Sequence, residues 1–340
     1  MQLSFLGVAI AFFSGGHLSA AQQTSDLPLR SFQNIFDPLS TPAKMIHESS
    51  LLVLIVSAVI FVVVSGLMAY AIWKFRARPG QDDKEPAQVY GSIQIEMAWA
   101  VIPIIITVLL ILVTARSIGE IQNVEIPEDA ERIRLVGHQW WWEVHYPEHG
   151  FVTANEIHVP VDEITHFELQ SADVIHSFWV PQLAGKTDCI PNRTNETWIE
   201  PFETGIYLGN CAEYCGTQHA GMRLRVIVQS REAYDAWVAN QKKPAVEDPA
   251  VAAGKLAFEK TSCVNCHRMD GTLAKGVFGP DLTHLASRQT IAAGEAPLNP
   301  ESLREWLRDP QTMKPGALMP DMKLTPQEVN DIADYLMTLK

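Results

Sequence analysis

Two long apolar runs dominate the first third of the chain. Leu51 to Trp73 is 23 residues without a charge, enough for a helix to span a hydrocarbon core of ~30 Å. A second apolar run covers about 93–115. Lys74, Arg76 and Arg78 follow the first run at once, and the positive-inside rule puts them in the cytoplasm. The pattern predicts a two-helix transmembrane hairpin, with helices at about 51–73 and 93–115, that begins and ends outside. Everything after Arg116 then lies on the outer face. Buried core helices would show the same composition, but two adjacent spans of this length favour a membrane. Ahead of them, the apolar run Leu3–Phe13 and the small residues Ser19-Ala20-Ala21 resemble a signal peptide over 1–21. Residues 22–118 then hold the N-terminal segment and the hairpin.

Beyond the hairpin the period changes to two. Thr165, Phe167 and Leu169 alternate with His166, Glu168 and Gln170, and Leu224, Val226 and Val228 alternate with Arg223, Arg225 and Gln229. Ile227 breaks the second set. Short strands with Pro, Gly and Asn turns predict an all-β antiparallel sandwich or barrel over 119–240. Residues 241–252 mix charge, alanine and proline and read as a linker. The period then becomes helical over 253–340. Thr325-Pro326-Gln327-Glu328 is a capping box with proline at the first helical position. Val329, Ile332, Ala333 and Leu336 make one apolar face, and Leu303, Trp306 and Leu307 mark a shorter helix.

Net charge is −13, which excludes a nucleic-acid partner, since phosphate binding needs a basic surface. Residues 116–240 carry 8 Lys plus Arg against 19 Asp plus Glu, so the acidity sits mainly in the β domain and suits a basic protein partner. The 5 cysteines are too few for a disulfide scaffold. Their grouping is more telling: Cys263 with Cys266, Cys211 with Cys215, and Cys189 alone.

Cys263-Val264-Asn265-Cys266-His267 is the C-x-x-C-H pattern. Two thiols at this spacing add to the two vinyl groups of one haem, and His267 follows as an iron ligand. A zinc knuckle or a redox pair would want more ligands or a βαβ context. A soft sixth ligand, methionine, would raise the potential. Met319, before Pro320 in a loop ahead of the last helix, is the candidate; Met313 and Met322 compete. Gly279-Pro280-Asp281-Leu282 resembles the segment that braces the proximal histidine in class I cytochromes c.

The second constellation is Cys211-Ala212-Glu213-Tyr214-Cys215-Gly216-Thr217-Gln218-His219-Ala220-Gly221-Met222. Cys215, His219 and Met222 already satisfy a blue-copper loop, with His176 as the remote imidazole. Cys211 adds a second thiolate, so two sulfurs can bridge two copper ions. A Cys211–Cys215 disulfide or a tetrahedral zinc is the rival. One carboxylate, Glu96, stands near the cytoplasmic end of the second span. There it is either functional or merely reaching the headgroups.

With these motifs the chain resembles subunit II of haem–copper cytochrome c oxidase, in the bacterial caa-type form with cytochrome c fused at the C-terminus. The resemblance implies a multidomain membrane protein: a transmembrane hairpin, a cupredoxin-like Greek-key domain and an all-α class I cytochrome c domain. It implies a dinuclear CuA centre held by His176, Cys211, Cys215, His219, Met222 and the backbone carbonyl of Glu213, whose side chain also resembles a ligand of a nearby magnesium site. It places Glu96 at the mouth of the K proton channel. Trp140, in Gly137-His138-Gln139-Trp140-Trp141-Trp142, corresponds to the residue where electrons from soluble donors arrive, although alternating tryptophans in a strand are mostly core. Implied partners are oxidase subunits I and III and a donor cytochrome c or reductase complex. Implied is an electron-input role in a proton-pumping oxidase of the bacterial inner membrane, with both domains periplasmic. A stand-alone membrane-tethered carrier is the alternative. A quinol-oxidase-like subunit would lack the thiolates. Departures are Cys189, where alanine is usual, and Asn192, where glycine is usual.

Overall fold

The computed structural model describes residues 27–30, 34–78, 85, 88–246 and 248–340; the signal peptide expected over 1–21 lies outside them. Helix α1, Thr41–Phe75, and helix α2, Ile93–Gln122, make the hairpin, and both are long and apolar enough to cross a membrane. Each outruns its apolar run. Helix α1 starts at Thr41 rather than near 51, and α2 ends at Gln122 rather than near 115. Hydropathy marks what lipid can cover, whereas a helix continues wherever its backbone bonds are satisfied. Pro42 sits in the first turn of α1, where a missing N–H costs nothing. Ser40 ahead of it accepts the amide of Glu200 through its hydroxyl at 3.0 Å. At the far end of α2, Trp198 Nε1 donates to the Ile121 carbonyl at 2.8 Å. Both outer helix ends are thereby tied to the β domain.

Ten strands follow: β1 Glu131–His138, β2 Trp141–Tyr146, β3 Phe151–Ala154, β4 Glu156–Pro160, β5 Thr165–Ser171, β6 His176–Trp179, β7 Thr187–Cys189, β8 Asn195–Ile199, β9 Gly205–Cys211 and β10 Arg223–Gln229. They form two five-stranded sheets, β3-β2-β1-β5-β8 and β4-β10-β9-β6-β7, closed over a core that includes Trp142, Tyr146, Phe167, Phe178 and Tyr207. The sandwich is mixed rather than purely antiparallel: β1 pairs with β5, and β4 with β10, in parallel. Alternation of side chains is the same in both kinds of ladder, so it could not tell them apart. Ile227, the break in that alternation, is 1% exposed. It lies in register with His158, and His158 stacks at 4.0 Å on Trp237 of helix α3, Arg231–Gln241. The helix covers that outer face, which is why an apolar residue stands there.

Helices α4 Ala252–Lys260, α5 Cys263–Cys266, α6 Pro300–Arg308, α7 Pro310–Met313 and α8 Pro326–Leu336 build the C-terminal domain, with a small β11–β12 ladder (Thr290–Ile291, Ala296–Pro297). The capping box at Thr325 and Glu328 is formed, and Val329, Ile332, Ala333 and Leu336 are buried. Where α4 crosses α8, a Cβ on Gly254 would meet the Asp331 carbonyl at 1.9 Å, so only glycine permits the crossing. Residues expected as a linker are pinned to this domain. Ala245 N donates to the Asp270 carbonyl at 3.0 Å, and the Lys243 carbonyl lies 3.0 Å from His284 Nε2. The domain packs directly on the sandwich.

Candidate copper centre and haem pocket

The copper-motif residues converge from β6, the end of β9 and the loop leading into β10. Cys211 Sγ lies 3.8 Å from Cys215 Sγ and 3.9 Å from His176 Nδ1. Cys215 Sγ lies 3.7 Å from His219 Nδ1 and 3.8 Å from Met222 Sδ. The Glu213 carbonyl is 3.1 Å from Cys211 Sγ. His176, Cys211, Cys215 and Met222 are all at most 5% exposed, and both thiols are free. Sulfurs about 2.3 Å from one shared metal at a tetrahedral angle stand about 3.8 Å apart, which is the spacing seen. Each sulfur has its own imidazole; one side adds a thioether and the other a carbonyl. The donor set is therefore soft and nearly symmetric, and fits two bridged copper ions better than a hard cation. Hydrogen bonding from Cys215 draws the Cys211 thiol far down, and the same contact pushes Cys215 up.

Outer contacts aim these ligands. His176 Nε2 meets Asp173 Oδ1 at 2.8 Å, which leaves Nδ1 facing the sulfurs. A Cβ on Gly137 would come within 2.7 Å of the same imidazole. Asp173 was not among the expected site residues; its spacing of three before His176 was the available signal. Cys189 is fully buried in the core beside His176 in register, and burial pushes its thiol up to about 12. Asn192 adopts φ 60°, a left-handed turn position that asparagine tolerates where glycine is usual.

The haem-motif residues line a cavity of about 410 Å³ that also takes in Met319, Phe258, Leu303 and Leu336. Met313 and Met322 are not in that lining. His267 Nδ1 lies 2.8 Å from the Pro280 carbonyl, so Nε2 is the nitrogen left for iron. Burial lowers the pKa of His267, the direction that favours the neutral imidazole a metal ligand must be. A Cβ on Gly279 would stand 2.7 Å from His267 Cε1, so the Gly279-Pro280 turn braces the ring. Across the cavity, Gln311 Nε2 donates to the carbonyls of Ala317 at 2.8 Å and Met319 at 3.3 Å. That brace was not visible in the sequence. Apolar walls, two thiols and an imidazole fit a covalently attached haem.

The three tryptophans separate by task. Trp142 is 0% exposed, edge-on to His176 at 6.0 Å. Trp141 stacks on His138 at 4.4 Å. Trp140 Nε1 donates to the Cys215 carbonyl at 3.0 Å, and Gln139 Nε2 to the same oxygen at 2.7 Å. Gly216, at φ 115°, leaves room for the Trp140 ring. Trp140 also lines the haem cavity. Glu96 stands apart, in the first turn of α2, about 40 Å of helix rise from its outer end.

The sequence model described as cytochrome c oxidase subunit II, transmembrane domain, matches residues 28–118; the one for its periplasmic domain matches 149–230. A cytochrome c model matches 251–340. Cytochrome c oxidase subunit 2 of Alkalihalophilus pseudofirmus is 37% identical over 89% of this chain and 90% of that one. The chain belongs to the cytochrome c oxidase subunit II family. The subunit 2 proteins of Bacillus sp. strain PS3 (36% identical, 78% of this chain and 80% of that one) and Bacillus subtilis (30%, 80% and 82%) are similar. This subunit II thus joins a membrane hairpin, a copper-binding cupredoxin-like domain and a cytochrome c domain in a haem–copper oxidase, where it associates with subunit I. The two soluble domains imply CuA copper and haem c.

Proposed function

We propose that this chain is the electron-input arm of the oxidase, running from its own haem pocket through Trp140 to the copper centre and on to subunit I for reduction of oxygen to water. Bound haem and copper supply the one-electron chemistry. Cys263 and Cys266 would hold a haem covalently, with His267 and Met319 as the side chains offered to its iron. His176, Cys211, Cys215, His219, Met222 and the Glu213 carbonyl would hold two coppers, and the Glu213 carboxylate is the candidate magnesium ligand facing subunit I. Cys211 and Cys215 would offer thiolates to both ions, and the buried His176, Cys211, Cys215 and Met222 would move little on redox change. Glu96 serves proton uptake from the cytoplasmic side. The working division is 22–118, 119–240, 241–252 and 253–340, with the soluble domains on the periplasmic face of the inner membrane, open to a donor cytochrome or reductase and neighbouring subunit III.

The observation that carries this reading is Trp140, which touches the haem cavity on one side and bonds the Cys215 carbonyl on the other. It favours a fixed internal route over the stand-alone carrier, whose haem would need to leave the copper domain. Optical and EPR spectra of the purified oxidase test it. A low-spin c haem and a mixed-valence signal shared by two coppers are expected. A four-line mononuclear copper spectrum would refute the dinuclear centre. Replacing Glu96 should slow proton-coupled turnover with metal content unchanged.

A further inference from the structure

Lys314 lies five residues before Met319 in the cytochrome domain, yet it is 3% exposed. Its Nζ donates to three carbonyls: Trp140 at 3.0 Å, Gly221 at 2.7 Å and Ala292 at 2.9 Å. Two of these belong to the cupredoxin domain. One is on the tryptophan that bonds Cys215, the other on the residue before Met222. An ammonium has three donors, and all three are used. A buried lysine needs such compensation, and here two of its three acceptors are supplied only when the domains meet. Burial lowers its pKa to about 8.

A second anchor sits elsewhere on the same seam. Glu156 of the cupredoxin domain, 2% exposed, accepts the Gln289 amide at 2.9 Å and the Thr290 amide and hydroxyl at 2.9 Å. Between the anchors, Ala292 and Ala293 take φ 54° and 60°, unfavourable for alanine. The Ala293 carbonyl accepts the Arg223 amide at 3.2 Å. A loop held in this conformation, bonding across a domain boundary, is shaped for its contact.

We propose that Lys314 is a positioning residue that clamps the cytochrome domain onto the copper loop, so that Trp140 is held in both sites at once. This rests on the haem-to-copper route above. Transfer between the sites then needs no domain search, and its rate does not depend on solvent viscosity.

The test uses the purified oxidase with Lys314→Met and, from the opposite domain, Glu156→Gln. Unchanged haem and copper spectra establish that both sites have formed; should Lys314→Met not assemble, Glu156→Gln reads the same seam. Amide exchange at Gln289 and Thr290 reports on the seam away from Lys314. In Lys314→Met it should rise by about tenfold or more, while the α8 amides keep their protection. Flash-induced haem-to-copper transfer should slow and become viscosity-dependent in both variants. Wild-type exchange in Lys314→Met overturns the clamp. Loosened exchange with an unchanged, viscosity-independent rate overturns the positioning role. Absence of haem-to-copper transfer in the wild type would instead refute the route, and the exchange comparison would still decide the clamp.

Discussion

The two cofactor sites use similar residues and are built in opposite ways. The candidate copper ligands stand within 4 Å of their neighbours because β6, the end of β9 and the loop leading into β10 place them there. The candidate haem ligands sit on separate loops, His267 braced by Pro280 and Met319 by Gln311, facing a cavity among the core side chains of their domain. A β-sandwich with a closed core can hold a metal site ready. A domain of about 90 residues buries less of its surface, and a haem in the cavity would complete its core.

The contrast is tested most severely by removing each attachment. Cys263→Ser with Cys266→Ser should lose covalent haem by more than about tenfold and unfold the cytochrome domain, as bound cofactor stabilises only the folded state. Pyridine haemochrome and helical circular dichroism read both effects. Copper chelation should leave the β-sheet signal intact; if the sandwich unfolds as well, the contrast is wrong.

Cys215→Ser comes next. With one bridging sulfur gone, the mixed-valence EPR signal should disappear and bound copper should fall from two to one or fewer, in a sandwich that stays folded. Met319→Ala should then abolish the long-wavelength sulfur-to-iron band and lower the haem potential, while Met313→Ala and Met322→Ala retain the band. Loss of the band in Met322→Ala would move the ligand.

The smallest effect concerns the sandwich alone. Burial would raise Glu143, but hydrogen bonds from His138 and His145 hold it down to about 2, against 4.5. A depressed carboxylate adds stability that is present above its unfolded pKa and lost as the pH falls from about 4.5 toward 2. Glu143→Gln should cost about 2 kcal/mol near neutrality and nothing near pH 2, measured by denaturant unfolding. The copper spectrum should not change, since Glu143 supports the sheet rather than the site.

Much of this was readable from short segments. The hairpin's apolar runs, the capping box at Thr325 and the two cysteine motifs are local patterns, and the structure forms each of them. Helix α1 was predicted too short because Lys44, His47 and Glu48 look unlike a span, although they continue its helix. The parallel β1–β5 and β4–β10 pairings were missed because period-two alternation is blind to strand direction. The segment 241–252 read as a loose linker because its bonds run to Asp270 and His284, which no local pattern reveals. Lys314 and Glu156 carried no signal at all, since a charged residue in a loop or at a strand start is ordinarily solvated.

The candidate chemistry was therefore legible in the sequence: the C-x-x-C-H motif and the Cys–His–Met loop each fall within a dozen residues, and spacing is enough to recognise them. Tertiary structure decided how the two centres face one another. Trp140 reaches Cys215 across 75 residues and Lys314 reaches Trp140 across 174. The first contact forms when the sandwich folds; the second exists only once two domains have folded and excluded water from the surface between them.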